Sequence, residues 1–194
     1  MTMDERALCW AELERATRER EHAFRQPVVV SVDEEGYPAG RVLTLREARN
    51  TESKLRFHVD RRSPKFSQWM RQPVAAVVFY DGPAKWQIRI KGLADLHFEN
   101  EFARRAWDSC HPMSKRTYLT MAAPGEEIDW DETSTYPAGL ENRRPTLDES
   151  EAGYANFAVL MIEVLEMDSL HLVKDGHRRF HIVEPTQSVR RLAP

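Results

Sequence analysis

The sequence predicts a mainly β fold (α+β): an antiparallel sheet closed into a small barrel, with short helices at its flanks. Three observations carry this. Strand-like runs follow one another closely, joined by turn sequences at Glu34-Glu35-Gly36, Asp81-Gly82-Pro83 and Asp175-Gly176. Only brief helical stretches separate them, whereas a parallel α/β sheet would alternate each strand with a helix. No G-x-G-x-x-G or Walker pattern occurs.

The elements follow in order. Asp4 to Phe24 has helical periodicity, with Leu8, Ala11 (or Glu12) and Arg15 on one face and Ala7, Trp10 and Leu13 nearby. Pro27 ends it, and a surface helix is expected. Pro27–Asp33 and Tyr37–Arg46 form a hairpin. Lys54–Val59 is a third strand, with Leu55, Phe57 and Val59 on one face and Lys54, Arg56 and His58 on the other. Ser63-Pro64 reads as the N-cap and first residue of a helix to about Arg71. Val74–Tyr80 is nearly all apolar, which suits a strand buried on both faces.

Lys85–Phe98 is a long strand in which Trp86, Ile88 and Ile90 alternate with Gln87, Arg89 and Lys91. Glu99–Ser109 and Ser114–Met121 read as helices. Ala122–Gly153 is rich in acids, Pro and Gly, and a long loop or lid is expected there, anchored by Trp130, Tyr136 and Leu140. Asn156–Leu165 is another buried strand, and Ser169–Val173 with His177–Val183 forms a last hairpin. One domain is expected over residues 1–194, with residues 1–26 as its N-terminal helix.

Composition narrows the function classes. The 194 residues are 41% hydrophobic and 30% charged, yet the net charge is only −3, so no overall field points to nucleic acid. The cysteines, Cys9 and Cys110, have neither zinc-site nor redox-pair spacing. The N-terminus lacks the apolar core of a signal peptide, and the longest apolar run, Phe157–Ile162, is far short of a membrane span. A cytoplasmic protein without nucleic-acid or membrane partners is expected.

Three groups of residues can carry chemistry. The helix starting at Ser63-Pro64 offers unpaired N–H groups, to which Ser63 adds a hydroxyl and Lys65 an ammonium. Arg61 and Arg62 lie upstream and Arg41 on the neighbouring strand, so a phosphate suits the place. Residue types alone describe an ordinary capped helix among solvated cations equally well. Arg41 and Arg46 are five residues apart, and a regular strand points them to opposite faces, so they have separate roles unless a bulge intervenes. Gln87, Arg89 and Lys91 share a strand face; the Gln87 amide can both donate to and accept from a heterocycle's edge. His177, Arg179 and His181 share another face, where an anion or flavin contact competes with a plain surface strand. No acid or cysteine joins these histidines at metal-site spacing, and no nucleophile elbow argues for hydrolysis.

These residues bring the chain close to a known family. The segments D-E-E-G-Y-P-A-G-R-V-L-T-L-R, F-H-V-D-R-R-S-P-K, K-W-Q-I-R-I-K-G, N-F-A-V-L-M-I-E-V-L-E and H-R-R-F occur in order, and the chain ends R-R-L-A-P. Together they resemble the pyridoxamine 5′-phosphate oxidase-like flavoproteins, FMN-binding split β-barrels of Greek-key character. The resemblance covers Pro27–Phe98 well, Asn156–Pro194 fairly and the middle loosely.

It implies a homodimer with FMN at the subunit interface and a small-molecule substrate. Arg41, Val42, Leu43, Thr44 and Arg46 would hold the phosphate and flank the ring. His58 and Val59 would line the cofactor, and Ser63 and Lys65 would bind its phosphate. Gln87 would reach the flavin from the other subunit, with Tyr154 and Arg179 at further flavin-contact positions. On the substrate side would stand Arg46, Trp107, His111 and His177. Trp107 and His111 replace a family Tyr and Arg, Asp175 replaces a substrate-site arginine, and Pro64 replaces an arginine for which Arg61 or Arg62 would compensate. The cofactor site is thus kept and the vitamin B6 site is not. The expectation is an FMN-dependent oxidoreductase. The alternatives are a non-catalytic flavin, haem or deazaflavin module, and a true pyridoxamine 5′-phosphate oxidase.

Overall fold

The computed structural model describes residues 4–132, 134–174 and 176–194. Among the described residues nine antiparallel strands form one open sheet rather than the closed barrel expected from the sequence. They are β1 (Val28–Val32), β2 (Pro38–Val42), β3 (Glu47–Arg49), β4 (Lys54–Asp60), β5 (Val74–Asp81), β6 (Trp86–His97), β7 (Phe157–His171), β8 (Arg178–Val183) and β9 (Ser188–Leu192). Their order is β2-β1-β5-β6-β7-β4-β3, with β8 on β7 and β9 on β8. β7 pairs with β6 along its length; its other edge takes β4 over residues 157–163 and β8 over residues 166–171. This 15-residue strand replaces the two predicted at Asn156–Leu165 and Ser169–Val173. The turn residue Asp175 lies outside the described residues.

The two end strands, β2 and β3, are consecutive in the chain. Residues 43–46 join them and cross the seam of the sheet. Leu43 N–H donates to the Pro27 carbonyl (3.1 Å), Leu45 N–H to that of Arg25 (2.9 Å) and Arg46 N–H to that of Arg56 (2.9 Å). The strand register pairs Arg56 with Glu47, so Arg46 and Glu47 both face Arg56, as in a β-bulge. The single strand predicted over Tyr37–Arg46 is therefore interrupted after Val42.

Alternation puts Val29, Phe57, Val77, Ile88, Leu160 and Ile182 into one core cluster. β5 buries one face only, with Ala75, Val77 and Phe79 inside and Val74 and Tyr80 exposed, so the expectation of two buried faces does not hold within the chain. β6 bends at Gly92, where a Cβ would lie 2.4 Å from the Glu163 carbonyl oxygen.

Helix α1 is shorter and far more buried than a surface helix. It spans Glu5–Arg18, starts at the Asp4 N-cap and buries Cys9, Trp10, Leu13 and Ala16. Each large apolar side chain so buried contributes about 1.5–3 kcal/mol. Two buried acids dock it. Glu5 accepts from Ser169 Oγ and faces His171 Nε2, both at 2.7 Å. Glu184 accepts from Trp10 Nε1 (2.9 Å), Arg6 (2.7 Å) and Ser53 (2.6 Å).

A second apolar cluster covers the outer face of β7, where Phe157, Val159 and Met161 pack on Ala103, Ala106 and Trp107 of α3 (Glu101–Asp108) and on Tyr118. Helices α2 (Pro64–Arg71) and α4 (Pro112–Lys115) are short. The region predicted as a long loop contains one helix, α5 (Leu147–Glu151), started by a Thr146/Glu149 capping box. Of its expected anchors, Leu140 is buried and Tyr136 lies under Arg116, but Trp130 is fully exposed and anchors nothing within the chain.

Candidate functional site

Arg41 lies opposite Val29 in the β1–β2 register and shares its inward face. Its guanidinium donates to Ser31 Oγ (2.7 Å) and Gln68 Oε1 (3.2 Å) and stands 5.5 Å from the centre of the Trp69 ring. Ser31 and Trp69 are buried, and α2 reaches this cation through its second turn, at Gln68 and Trp69. Burial pulls the Arg41 pKa down. It also pulls Lys65 down, helped by the Arg41 charge and opposed by Asp60. Asp60 is itself clamped by Arg62 at 2.7 Å. Among the described residues neither Arg41 nor Lys65 has an ion-pair partner. Two desolvated cations face each other at a helix start, the arrangement an anion relieves.

Ser63 is buried at the N-cap position, but its hydroxyl donates back to the Asp60 carbonyl rather than capping the helix. Arg61 and Arg62 do not stand in for Pro64. Arg61 pairs with Glu99 over the Phe98 ring, and Arg62 holds Asp60 and Thr120.

Arg46 belongs to a different place. With Thr44, His111 and Ser114 it lines an open cleft of 770 Å³, joined by Arg20, Glu21, Arg25, Gln26 and Met113. Three arginines against one glutamate make the cleft cationic. Arg46 Nε is buried without a hydrogen-bond partner, as are Arg56 Nε and His58 Nε2 on β4, which do not line the cleft. Burial, followed by the charges of Arg46 and Arg56, pushes the His58 pKa down to about 3, so the ring is neutral. His58 Nδ1 lies 3.5 Å from Cys110 Sγ, and the ring meets the Phe157 edge. His111 caps α4 through Nδ1 and meets Arg144 at Nε2 (2.6 Å). Sequence reasoning gives no role to Arg20 or Arg25, because the cleft residues they join lie on other elements.

The third group lies on the outer face of the sheet. Gln87 pairs with Leu170, and Leu170 with Arg179, so the three form one row across β6, β7 and β8. Residues 92 positions apart in the chain thus meet on one face. Exposed Tyr80 continues the row on β5. Beside it runs an uncovered apolar surface that includes Val28, Val42, Val74 and Leu93.

Several expectations need correction. Trp107 is 0% exposed, packed on Phe157 and Tyr118 with Lys115 over its ring, and cannot face a substrate. Val59 points into the core, leaving only its backbone for a cofactor. Val42 is exposed on the outer face and Leu43 packs against the core. Tyr154 lies beside Trp107 and under Arg104. His177 is exposed just before β8 and does not line the Arg46 cleft. No group of three metal-ligating side chains exists among the described residues.

Known proteins support the same architecture. Residues 7–98 match the family model "Pyridoxamine 5′-phosphate oxidase, FMN-binding domain". No curated protein matches the chain. Among solved structures, a pyridoxamine 5′-phosphate oxidase-related, FMN-binding protein from Nostoc punctiforme superimposes with a TM-score of 0.75 at 21% identity, covering 96% of this chain and 95% of that one. PhzG from Burkholderia lata, solved with tetrahydrophenazine-1-carboxylic acid, gives 0.70 at 18% identity over 97% and 91%. A heme-binding protein from Mycobacterium smegmatis gives 0.51 at 12% identity over 91% of this chain and 59% of its own. At these identities the likeness is one of fold.

Proposed function

With residues 7–98 matching the FMN-binding domain of the pyridoxamine 5′-phosphate oxidase family, we propose that the chain is an FMN-dependent oxidoreductase. It works as a homodimer on a small molecule. The observation that carries this reading is that Arg41 and Lys65, both half-buried and the first close enough to depress the pKa of the second, have no carboxylate ion-pair partner among the described residues. Arg41, Lys65 and the first turn of α2 hold the FMN phosphate. When bound, the isoalloxazine supplies the electron transfer, and the protein supplies position and field.

A dimer is supported by where the other proposed contacts lie. Arg41 faces inward on β2, whereas Gln87 and Arg179 face outward across β6 and β8. One flavin cannot meet both sets from a single chain. The exposed apolar strip from Val42 to Leu93, next to the Gln87 row, is the surface a second copy covers. The phosphate grip then comes from one subunit and Gln87 with Arg179 from the other.

Substrate enters the Arg46–His111 cleft, whose Arg46 also helps to keep buried His58 neutral. Vitamin B6 phosphate oxidation is not the reading favoured, because Trp107 is buried and His111 is engaged by Arg144.

The test is the visible spectrum of purified protein, with extraction and identification of what it carries. Flavin absorbance and one FMN per subunit support the reading. Protein that stays colourless after FMN is added refutes it, and a haem or deazaflavin spectrum replaces the cofactor.

A further inference from the structure

The outer face of β6–β7–β8 is a ladder of charged rows. Beside the Gln87–Leu170–Arg179 row lies Arg89–Asp168–His181, and beyond it Lys91–Glu166–Val183. Arg179 reaches diagonally to Asp168: its Nε lies 3.1 Å from both carboxylate oxygens and its Nη2 2.7 Å from Oδ2. Arg89 Nη2 donates to the same Oδ2 at 2.9 Å. One carboxylate therefore serves two guanidiniums. Glu166 beyond it meets Lys91 (3.2 Å) and His181 (3.3 Å). Burial works to raise the Asp168 pKa, but hydrogen bonds from Arg179 and Arg89 outweigh it and hold the group below the usual carboxylate range.

We infer that Asp168 is a positioning residue for the cofactor: it fixes the Arg179 guanidinium in the row of Gln87 and, shared with Arg89, leaves a surplus positive charge beside the ring. This rests on the FMN reading above and adds two residues to it, Asp168 and Arg89. An arginine already held in its fork geometry loses less freedom when it meets a ligand. Fixed positive charge at the edge of a flavin favours the electron-rich reduced ring.

The experiment compares wild type with Asp168→Asn, Asp168→Glu and Arg89→Gln. FMN affinity is read by titrating apoprotein against flavin fluorescence, and the reduction potential of the bound flavin is read separately. Asp168→Asn is expected to weaken FMN about tenfold and to raise the potential. Asp168→Glu recovers affinity, and Arg89→Gln lowers the potential. A merely structural role would lower the melting temperature of Asp168→Asn without moving the two potentials in opposite directions. If Asp168→Asn does not fold, the Arg89→Gln potential decides. An Asp168→Asn protein that binds FMN like wild type, or an Arg89→Gln potential that is unchanged or raised, overturns the inference while the cofactor reading stands. Wild type that takes up no FMN overturns both.

Discussion

Lys65→Met tests the proposed phosphate grip apart from everything else at the proposed cofactor site. The ammonium is partly desolvated, repelled by Arg41, and served only by an Asp60 already clamped by Arg62. Its charge is unfavourable until an anion arrives. A hydrogen bond to a charged group contributes about 1.5–3 kcal/mol, so its loss weakens FMN roughly 10- to 150-fold. Met keeps most of the stem's volume and removes the repulsion. The apoprotein is therefore expected to melt no lower than wild type. Riboflavin, which lacks the phosphate, provides the control. Isothermal titration of both ligands against both proteins should show the loss for FMN and a nearly unchanged riboflavin affinity. An equal loss for riboflavin would mean that Lys65 shapes the ring site, and no loss for FMN would remove it from the grip; either result refutes the argument.

Other outcomes follow from the same structure. His58 has a folded-state pKa of about 3, below its unfolded value, so its neutral form stabilises the fold above pH 6.5 and that contribution falls away as pH drops toward 3. Between pH 6.5 and 5 the slope is up to about 1.4 kcal/mol per unit, and urea melts of His58→Gln should be flatter there than those of wild type. Gly92→Ala forces a Cβ to within 2.4 Å of the Glu163 carbonyl oxygen, and should cost about 1–3 kcal/mol in denaturant unfolding. Glu184→Leu strips the buried partner from Arg6, Trp10 and Ser53. A loss of about 3–5 kcal/mol is expected, with Trp10 emission becoming open to acrylamide as α1 loosens.

The elements that sequence reading placed well are those whose signal is local. The alternation of Trp86, Ile88 and Ile90 sets the faces of β6, and Ser63-Pro64 starts α2 as expected. The period of two also separated Arg41 from Arg46, although a bulge at Arg46 helps to set their sides. The family position of Trp107 points to a substrate, but α3 buries it with Ala103 and Ala106 in the packed side of the helix. Glu166 and Asp168 looked like breaks between strands; they are outward-facing members of one continuous β7. Asp168 meets arginines 79 and 11 residues away, and Glu184 meets Trp10 across 174. No local pattern announces such partners, because long-range burial decides them. The Thr146–Glu149 capping box was legible and would have found α5.

The seam at residues 43–46 has one more consequence. It is held by three backbone hydrogen bonds, to Pro27, Arg25 and Arg56, rather than by a strand ladder. It can open without unzipping the sheet, and it is the tether between Arg41 and Arg46. A ligand that pins Arg41 stiffens one end of this tether, and the other end feeds the cationic cleft. Amide exchange at Leu43, Leu45 and Arg46 would then slow on cofactor loading, and the cleft would be shaped only once the cofactor is seated. On the proposed function, four residues of backbone would set the binding order, cofactor before substrate.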